Sequence, residues 1–262
     1  MDSSLQNKNP FVLGVIPARY ASTRFPGKPL IDILGMSMLE RVYRQTLQSK
    51  SLTNVCIATD DKRIFDHAKQ FGANVFMTSD KHPSGTDRCL EAVELFLKAF
   101  PDHTPNIIVN IQGDEPLIQP HVIDELVSTF LSPETRIATM VVPFINNQDV
   151  QNTNSVKVVF NKESNALYFS RLPIPYKRDS QESETTYYKH LGLYAFRYKT
   201  LQTICTLPMS SLEKTEKLEQ LRWIENAIPI RIVITEQDSL CVDVPDDVQR
   251  IIQVLIKQNT HS

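Results

Sequence analysis

The sequence predicts an α/β fold: a doubly wound, mostly parallel Rossmann-like sheet with an antiparallel insertion. Two observations lead there. Short apolar runs alternate with amphipathic helical patterns through the first half of the chain. That alternation breaks after about residue 143, where strand-like runs follow one another without long helices between them. The runs "FVLGVI" (11–16), "NVCIAT" (54–59), "NVFMT" (74–78) and "NIIVNI" (106–111) are rich in β-branched residues and apolar throughout. Strands buried on both faces of a parallel sheet have this composition. Between them, residues 36–48 place Leu39, Val42, Tyr43 and Leu47 on one helical face. Residues 61–71 do so with Ile64, Phe65, Ala68 and Phe71, with Asp60 or Asp61 as N-cap. Residues 86–100 align Leu90, Val93, Phe96, Leu97 and Phe100. Strand–helix–strand units of this kind cross over with a right hand. The later runs "SVKVVF" (155–160), "ALYFS" (166–170) and "YYKHLGLYAF" (187–196) read as antiparallel strands. A helix is predicted over 212–226, a strand over 230–235 and a last helix over 246–257.

Composition narrows the function classes. The 262 residues carry a formal net charge of −2, with 41% hydrophobic and 22% charged residues. That balance gives no general basic footprint for nucleic acid or an anionic membrane, so any anion site is local. No apolar run approaches the ~20 residues of a membrane span. The opening "MDSSLQNKNP" lacks the apolar core of a signal peptide, and residence in the cytoplasm is expected. Cys56, Cys89, Cys205 and Cys241 are scattered without CxxC spacing, which argues against a structural zinc site or a disulfide framework.

Local charge concentrates in residues 17–30, "PARYASTRFPGKPL", which hold Arg19, Arg24 and Lys28 and no carboxylate. In an open parallel sheet, ligands bind beyond the carboxyl ends of the strands, and this loop follows the first one. Its cations and backbone N–H groups suit phosphate. It is neither a Walker A loop, since Pro29 follows Gly27-Lys28, nor a GxGxxG turn. A solvated surface loop is the plain alternative, but three cations without an acid repel one another until an anion arrives. "NIQGDEP" (110–116) ends another apolar run, and Asp114 there suits Mg²⁺ beside a triphosphate, or else caps the turn before Pro116. In "VDVPDD" (242–247), Asp243 reads as a second metal carboxylate or as a turn residue, and Asp246 and Asp247 as helix-start acids. In "HPSGTDR" (82–88), Ser84-Gly85 gives a tight backbone and Thr86 or Asp87 a helix cap. Arg88 opposes the helix dipole, which leaves a ligand role and a plain surface role level.

These motifs, with "VKVV", "ALYFSR", "KHLGLYAF" and "LEQLR" in order, resemble the 3-deoxy-manno-octulosonate (Kdo) cytidylyltransferases over roughly residues 10 to 255. The resemblance implies the nucleotide-diphospho-sugar transferase type of fold. Residues 10–143 and 212–258 would form the nucleotide-binding core of a single domain, and about 150–205 a sugar-binding and dimerisation insertion. It implies that CTP and Kdo give CMP-Kdo and pyrophosphate, for incorporation into lipopolysaccharide, in a homodimer. By the same resemblance Ala18, Arg19, Ser22, Arg24 and Lys28 would bind CTP, with Ser84, Gly85 and Arg88 reading cytosine. Asp114 and Asp243 would hold Mg²⁺, and they would be catalytic together with Arg19 and Lys28. Gln112, Arg171, His190, Tyr194, Glu219 and Gln220 would bind Kdo, Arg171 facing its carboxylate. His190 and Tyr194 read equally as satisfied strand residues, and Glu219 as an exposed helix charge. Two departures stand out: Cys241 replaces a usual glycine before Asp243, and "LGMSMLERV" lacks a lysine often found there. A nucleotide-sugar glycosyltransferase is the runner-up, but it usually shows Asp-x-Asp where this chain has Asp114-Glu115-Pro116. A non-catalytic nucleotide sensor would tolerate loss of Asp114 and Asp243, and both are present.

Overall fold

The computed structural model describes residues 10–21, 25–146, 148–178, 185–238 and 240–259. The chain runs through β1 (Val12–Ala18), two two-residue strands β2 (Asp32–Ile33) and β3 (Met36–Ser37), α1 (Met38–Thr46), β4 (Asn54–Thr59) and α2 (Lys62–Gln70). It continues through β5 (Asn74–Met77), α3 (Gly85–Ala99), β6 (Ile107–Asn110), α4 (Pro120–Ser128) and β7 (Ile137–Pro143). Next come β8 (Lys157–Phe160), β9 (Ala166–Ser170), β10 (Tyr188–Arg197) and α5 (Tyr198–Cys205). Last are α6 (Ser211–Glu216), α7 (Gln220–Glu225), β11 (Ile230–Ile234) and α8 (Pro245–Asn259).

The main sheet has the order β11-β7-β10-β6-β1-β4-β5. All neighbours are parallel except β10, which runs antiparallel between β6 and β7. β8 and β9 form an antiparallel annex on β10. The two faces of β1 show the double winding. Val12 and Ile16 pack with Leu39 of α1, Ile64 of α2 and Ile123 of α4. Leu13 and Val15 pack on the other face with Val93 and Phe96 of α3, Leu201 of α5 and Trp223 of α7. Alternate residues of a strand point to opposite faces, so an all-apolar strand is what two helical layers require. α8 covers a smaller core of Ile33, Met38, Val242 and Ile251 beside the β2–β3 hairpin.

The structure refines several expectations. Ser84, not Thr86 or Asp87, caps α3, its Oγ accepting from the Asp87 N–H at 3.1 Å. Asp61 caps α2. Leu47 lies one residue beyond α1 and is 53% exposed, because the helix that would have turned it inward has ended. The helix predicted over 212–226 is two helices. Lys217 adopts a left-handed conformation (φ 55°), and its N–H closes α6 on the Glu213 carbonyl at 2.8 Å. The break turns Leu218 into the core and sends α7 off from Glu219. The strands of segment 150–205 are both inserted into the main sheet and appended to it. β8 and β9 project as the annex, whereas β10 runs through the middle of the main sheet.

β1 and β6 leave the sheet side by side, and Gly113 lies where their following loops touch. A Cβ on Gly113 would stand 2.8 Å from the Pro17 carbonyl oxygen, so the backbones pass too closely for any side chain. Gly113→Ala is expected to destabilise the protein by roughly 1–3 kcal/mol, the usual range for overpacking, as read from urea denaturation midpoints.

Candidate active site

Beyond the carboxyl ends of β1 and β6 opens a cavity of about 670 Å³. Three groups of side chains build its wall.

The first group centres on Lys28. Gly27, at φ 73°, turns the chain, and a short 3₁₀ turn (Lys28–Leu30) with Pro29 follows. The turn is pinned at its base: the Gly27 N–H donates to the Tyr20 carbonyl at 2.9 Å. The Tyr20 ring lies 3.2 Å beneath the Arg63 guanidinium, which Asp61 holds in turn. From this turn Lys28 Nζ donates to Asp114 Oδ2 at 2.6 Å and to the Val242 carbonyl at 2.8 Å. It stands 3.8 Å from Asp243 Oδ1. The loops bearing the two aspartates are tied to each other, the Val242 N–H donating to the Asp114 carbonyl at 2.9 Å. Asp247 Oδ2 accepts from the N–H groups of Asp243 and Val244, which fixes the turn presenting Asp243. Burial works against the Asp247 charge, yet those N–H donors hold its carboxyl below the usual range. Asp247 is thus a structural acid at the start of α8. Arg19 is exposed and borders the cavity, as does Ala18, whereas Ser22 and Arg24 lie outside the described residues.

Two carboxylates that converge on one ammonium already hold a hard cation, and the same oxygens suit Mg²⁺ once phosphate and water complete its shell. Among the described residues no cluster of three or more His, Cys, Asp or Glu could hold a metal alone.

The second group sits at the start of α3. The Thr86 hydroxyl donates to Glu219 Oε2 at 2.7 Å, and Ser84 Oγ lies 2.9 Å from Oε1. Burial raises the Glu219 carboxyl above its usual range, with the two hydroxyls opposing it. Gly85, Glu219 and Gln220 border the cavity, while the Ser84 side chain serves Glu219 from behind. Arg88 also borders it but is only 1% exposed. Its guanidinium is bonded to Asp60 Oδ2 and Thr78 Oγ1, both at 2.6 Å. The cation that opposed the helix dipole is thus half of a buried ion pair between α3 and the end of β4.

The third group comes from β10. A register shift between Leu191 and Tyr194 bulges the strand at Gly192, whose carbonyl accepts from Gln112 Nε2 at 2.7 Å. His190, Gln112 and Tyr194 all border the cavity. The Thr139 hydroxyl donates to the Leu193 carbonyl at 2.8 Å, so at 3.0 Å it accepts from His190 Nε2. This assigns the proton to Nε2 and leaves Nδ1 as an acceptor. Burial lowers the His190 pKa to about 3, so the ring is neutral, and burial raises Tyr194 well above its usual value.

Arg171 does not join the cavity wall. Its guanidinium donates to the carbonyls of Glu216 at 2.8 Å, Thr153 at 3.1 Å and Lys217 at 3.4 Å, bracing the annex against the α6–α7 break. Conversely, Asn110 and Thr86 border the cavity without having been singled out as ligands. Asn110 is 4% exposed, and its Oδ1 has no hydrogen-bond partner among the described residues. The signal for it was present: a polar residue closing the otherwise apolar β6, two positions before Gln112 and four before Asp114.

A histidine held neutral in the fold ties stability to pH. The unfolded chain takes up a proton at His190 near the ordinary pKa of about 6.5, while the folded chain resists until about 3. Stability should therefore fall as pH drops below about 6.5, at up to about 1.4 kcal/mol per pH unit from this group. Urea denaturation between pH 7.5 and pH 5 tests this: His190→Gln should flatten the slope, and an unchanged slope would refute the assignment.

A family model described as cytidylyltransferase matches residues 13–232. A 3-deoxy-manno-octulosonate cytidylyltransferase of Parabacteroides distasonis is 49% identical over 93% of this chain and 97% of its own. One of Bacteroides thetaiotaomicron is 47% identical over 90% and 95%. A solved CMP:2-keto-3-deoxy-manno-octonic acid synthetase complexed with CTP superimposes with a TM-score of 0.86 at 38% identity, covering 95% of this chain and 99% of that one. With this similarity along nearly its whole length, the chain belongs to the cytidylyltransferase family, among the 3-deoxy-manno-octulosonate cytidylyltransferases.

Proposed function

We propose that the chain couples CTP to Kdo, releasing pyrophosphate and forming CMP-Kdo for lipopolysaccharide assembly. The observation that carries this reading is the meeting of Lys28, Asp114 and Asp243 at one cavity that Gln112, His190, Tyr194, Glu219 and Gln220 also line or border. A cation and two carboxylates suit a metal-bound triphosphate, and the polar groups beyond them suit a polyhydroxylated acid.

In this reading the anomeric hydroxyl of Kdo attacks the α-phosphorus in line and pyrophosphate leaves. Such a transfer depends on alignment and charge neutralisation more than on covalent help. Lys28 and Arg19, with Ser22 and Arg24 of the same loop, hold the phosphates. The backbone of Ala18 and the Ser84-Gly85 turn face the base. Arg88 acts on this side through its ion pair with Asp60, which fixes the start of α3. Glu219 accepts from sugar hydroxyls, held in place by Thr86 and Ser84. Gln220 and Tyr194 offer further hydrogen bonds, and neutral His190 presents Nδ1 as an acceptor. Arg171, bonded to three carbonyls, shapes the sugar side of the site and reaches the Kdo carboxylate only by exchanging those bonds. Mg²⁺ held by Asp114 and Asp243 would neutralise phosphate charge and lower the pKa of the attacking hydroxyl.

The protein works, in this proposal, as a cytoplasmic homodimer. Among the described residues no helix is long and apolar enough to cross a membrane. Ile145, Leu172 and Tyr176, which are 102%, 64% and 85% exposed, are the apolar side chains we assign to contact with a second copy. Sedimentation should then report twice the chain mass, and a monomer at micromolar concentration would exclude the dimer.

Pyrophosphate release from CTP that requires Kdo is the direct test of the activity. Asp114→Asn should keep its fold by circular dichroism and lose turnover by about two or more orders of magnitude, as loss of transition-state charge stabilisation does. Near-normal turnover at saturating Mg²⁺ would remove Asp114 from the metal site.

A further inference from the structure

We infer that the Lys28 ammonium is the resident cation of the two-aspartate site, and that nucleotide binding exchanges it for the metal ion. The nucleotide's phosphates draw Lys28 off Asp114, and the released oxygens then take the divalent ion. This rests on the metal role proposed for Asp114 and Asp243. It adds the linkage between the ligands, and hence the order in which the site fills.

Three oxygens surround Lys28 Nζ: Asp114 Oδ2 at 2.6 Å, the Val242 carbonyl at 2.8 Å and Asp243 Oδ1 at 3.8 Å. An ammonium has three N–H donors and no acceptor; two of them bond Asp114 and Val242, and Asp243, beyond hydrogen-bond reach, adds its charge to the site. The donors are all hard oxygens, the set that Mg²⁺ also selects. Ammonium and metal cannot share Asp114 Oδ2 comfortably, because two cations on one oxygen repel each other. One must leave before the other settles.

The parts differ in mobility in the way an exchange requires. The backbone that carries the two aspartates is held in place. Val242 N–H bonds the Asp114 carbonyl at 2.9 Å, and Asp247 fixes the turn at Asp243. Lys28 instead reaches the site on a flexible four-carbon stem from a pinned turn. Rotating that stem delivers the ammonium to a phosphate without moving either aspartate. The free enzyme therefore binds metal weakly and the nucleotide-bound enzyme binds it well. By linkage, metal strengthens nucleotide binding by the same factor.

The test uses Mn²⁺ as probe, with free Mn²⁺ followed by electron spin resonance. Nucleotide-free wild-type enzyme should bind it weakly, and a non-hydrolysable CTP analogue should tighten binding. In Lys28→Met, Mn²⁺ affinity without nucleotide should rise about tenfold or more, within the usual range of coupling between sites. The analogue should then add much less than it adds in the wild type. Lys28→Gln should behave alike, which guards against a folding fault in one variant, and thermal melts report folding of both. Unchanged nucleotide-free affinity in both folded variants would overturn the exchange. So would an equal gain in Arg19→Met, since that would be a general field effect. Adding Asp114→Asn to Lys28→Met should erase the gain. A gain that survives it would overturn both the exchange and the metal role of Asp114. Loss of Mn²⁺ binding in Asp114→Asn alone, with no gain in the Lys28 variants, would overturn the exchange and leave the metal role standing.

Discussion

The contact between Lys28 and Asp114 is the interaction on which the site depends. It joins residues 86 positions apart, and through the Val242 carbonyl it reaches across a further part of the chain. Three segments that leave the sheet separately, after β1, after β6 and before α8, thereby meet at one ammonium. Each is also tied down by backbone: the Gly27 turn to Tyr20, the Asp114 carbonyl to Val242, and Asp243 to the Asp247 cap. The close passage of Gly113 against Pro17 brings the first two segments together. A surface pair of this kind would be worth little. Here Lys28 is 15% exposed and Asp114 25%, so the contact is partly desolvated and holds its geometry.

A second coupling runs through the Ser84–Thr86 turn. Its backbone at Gly85 faces the cavity, while the hydroxyls on either side grip Glu219, more than 130 residues away in sequence. The carboxylate repels Asp87 and suffers from its own burial. Two hydroxyls, with Arg222 at 3.7 Å, oppose that cost without cancelling it, and burial still raises the carboxyl. A turn that borders the cavity with its backbone and holds Glu219 with its hydroxyls links two parts of the cavity wall mechanically. The break at Lys217 makes this possible: a continuous helix over 212–226 would not have started a new one at Glu219.

Much of this was legible in the sequence because it follows from periodicity and charge. The apolar runs that became β1, β4, β5 and β6 could only be strands covered on both faces. The helices between them showed their buried stripes. The unpaired cations of 17–30 and the carboxylates at strand ends pointed to a phosphate site, and Lys28, Asp114 and Asp243 do meet. What was hidden depends on contacts between distant segments. β10 was expected as an antiparallel strand inserted into or appended to the sheet, but its neighbours β6 and β7 could not be told from its order in the chain. Arg88 read as either a ligand or a surface cation, because Asp60, its partner, lies 28 residues earlier and helical periodicity does not show it. Arg171 matched a sugar-acid ligand by motif, but its guanidinium meets carbonyls from two other segments. The split at Lys217 rests on one left-handed residue, which helical periodicity does not record.

The basic loop now has an account that neither its composition nor its position supplied. A run of cations without an acid is unstable only while it is considered locally. Folding brings Asp114 and Asp243 to Lys28, so the last of the loop's three charges is balanced before any ligand arrives. The balance is provisional, because each carboxylate that quiets Lys28 also suits a divalent ion, and the ammonium that quiets them also suits a phosphate. Magnesium nucleotide carries both replacements in one particle: anionic oxygens for the lysine and a divalent cation for the aspartates. The free site is thus self-neutralised and the loaded site is neutralised again with all partners changed. A site built in this way keeps its carboxylates aligned without metal and commits them only when nucleotide is present.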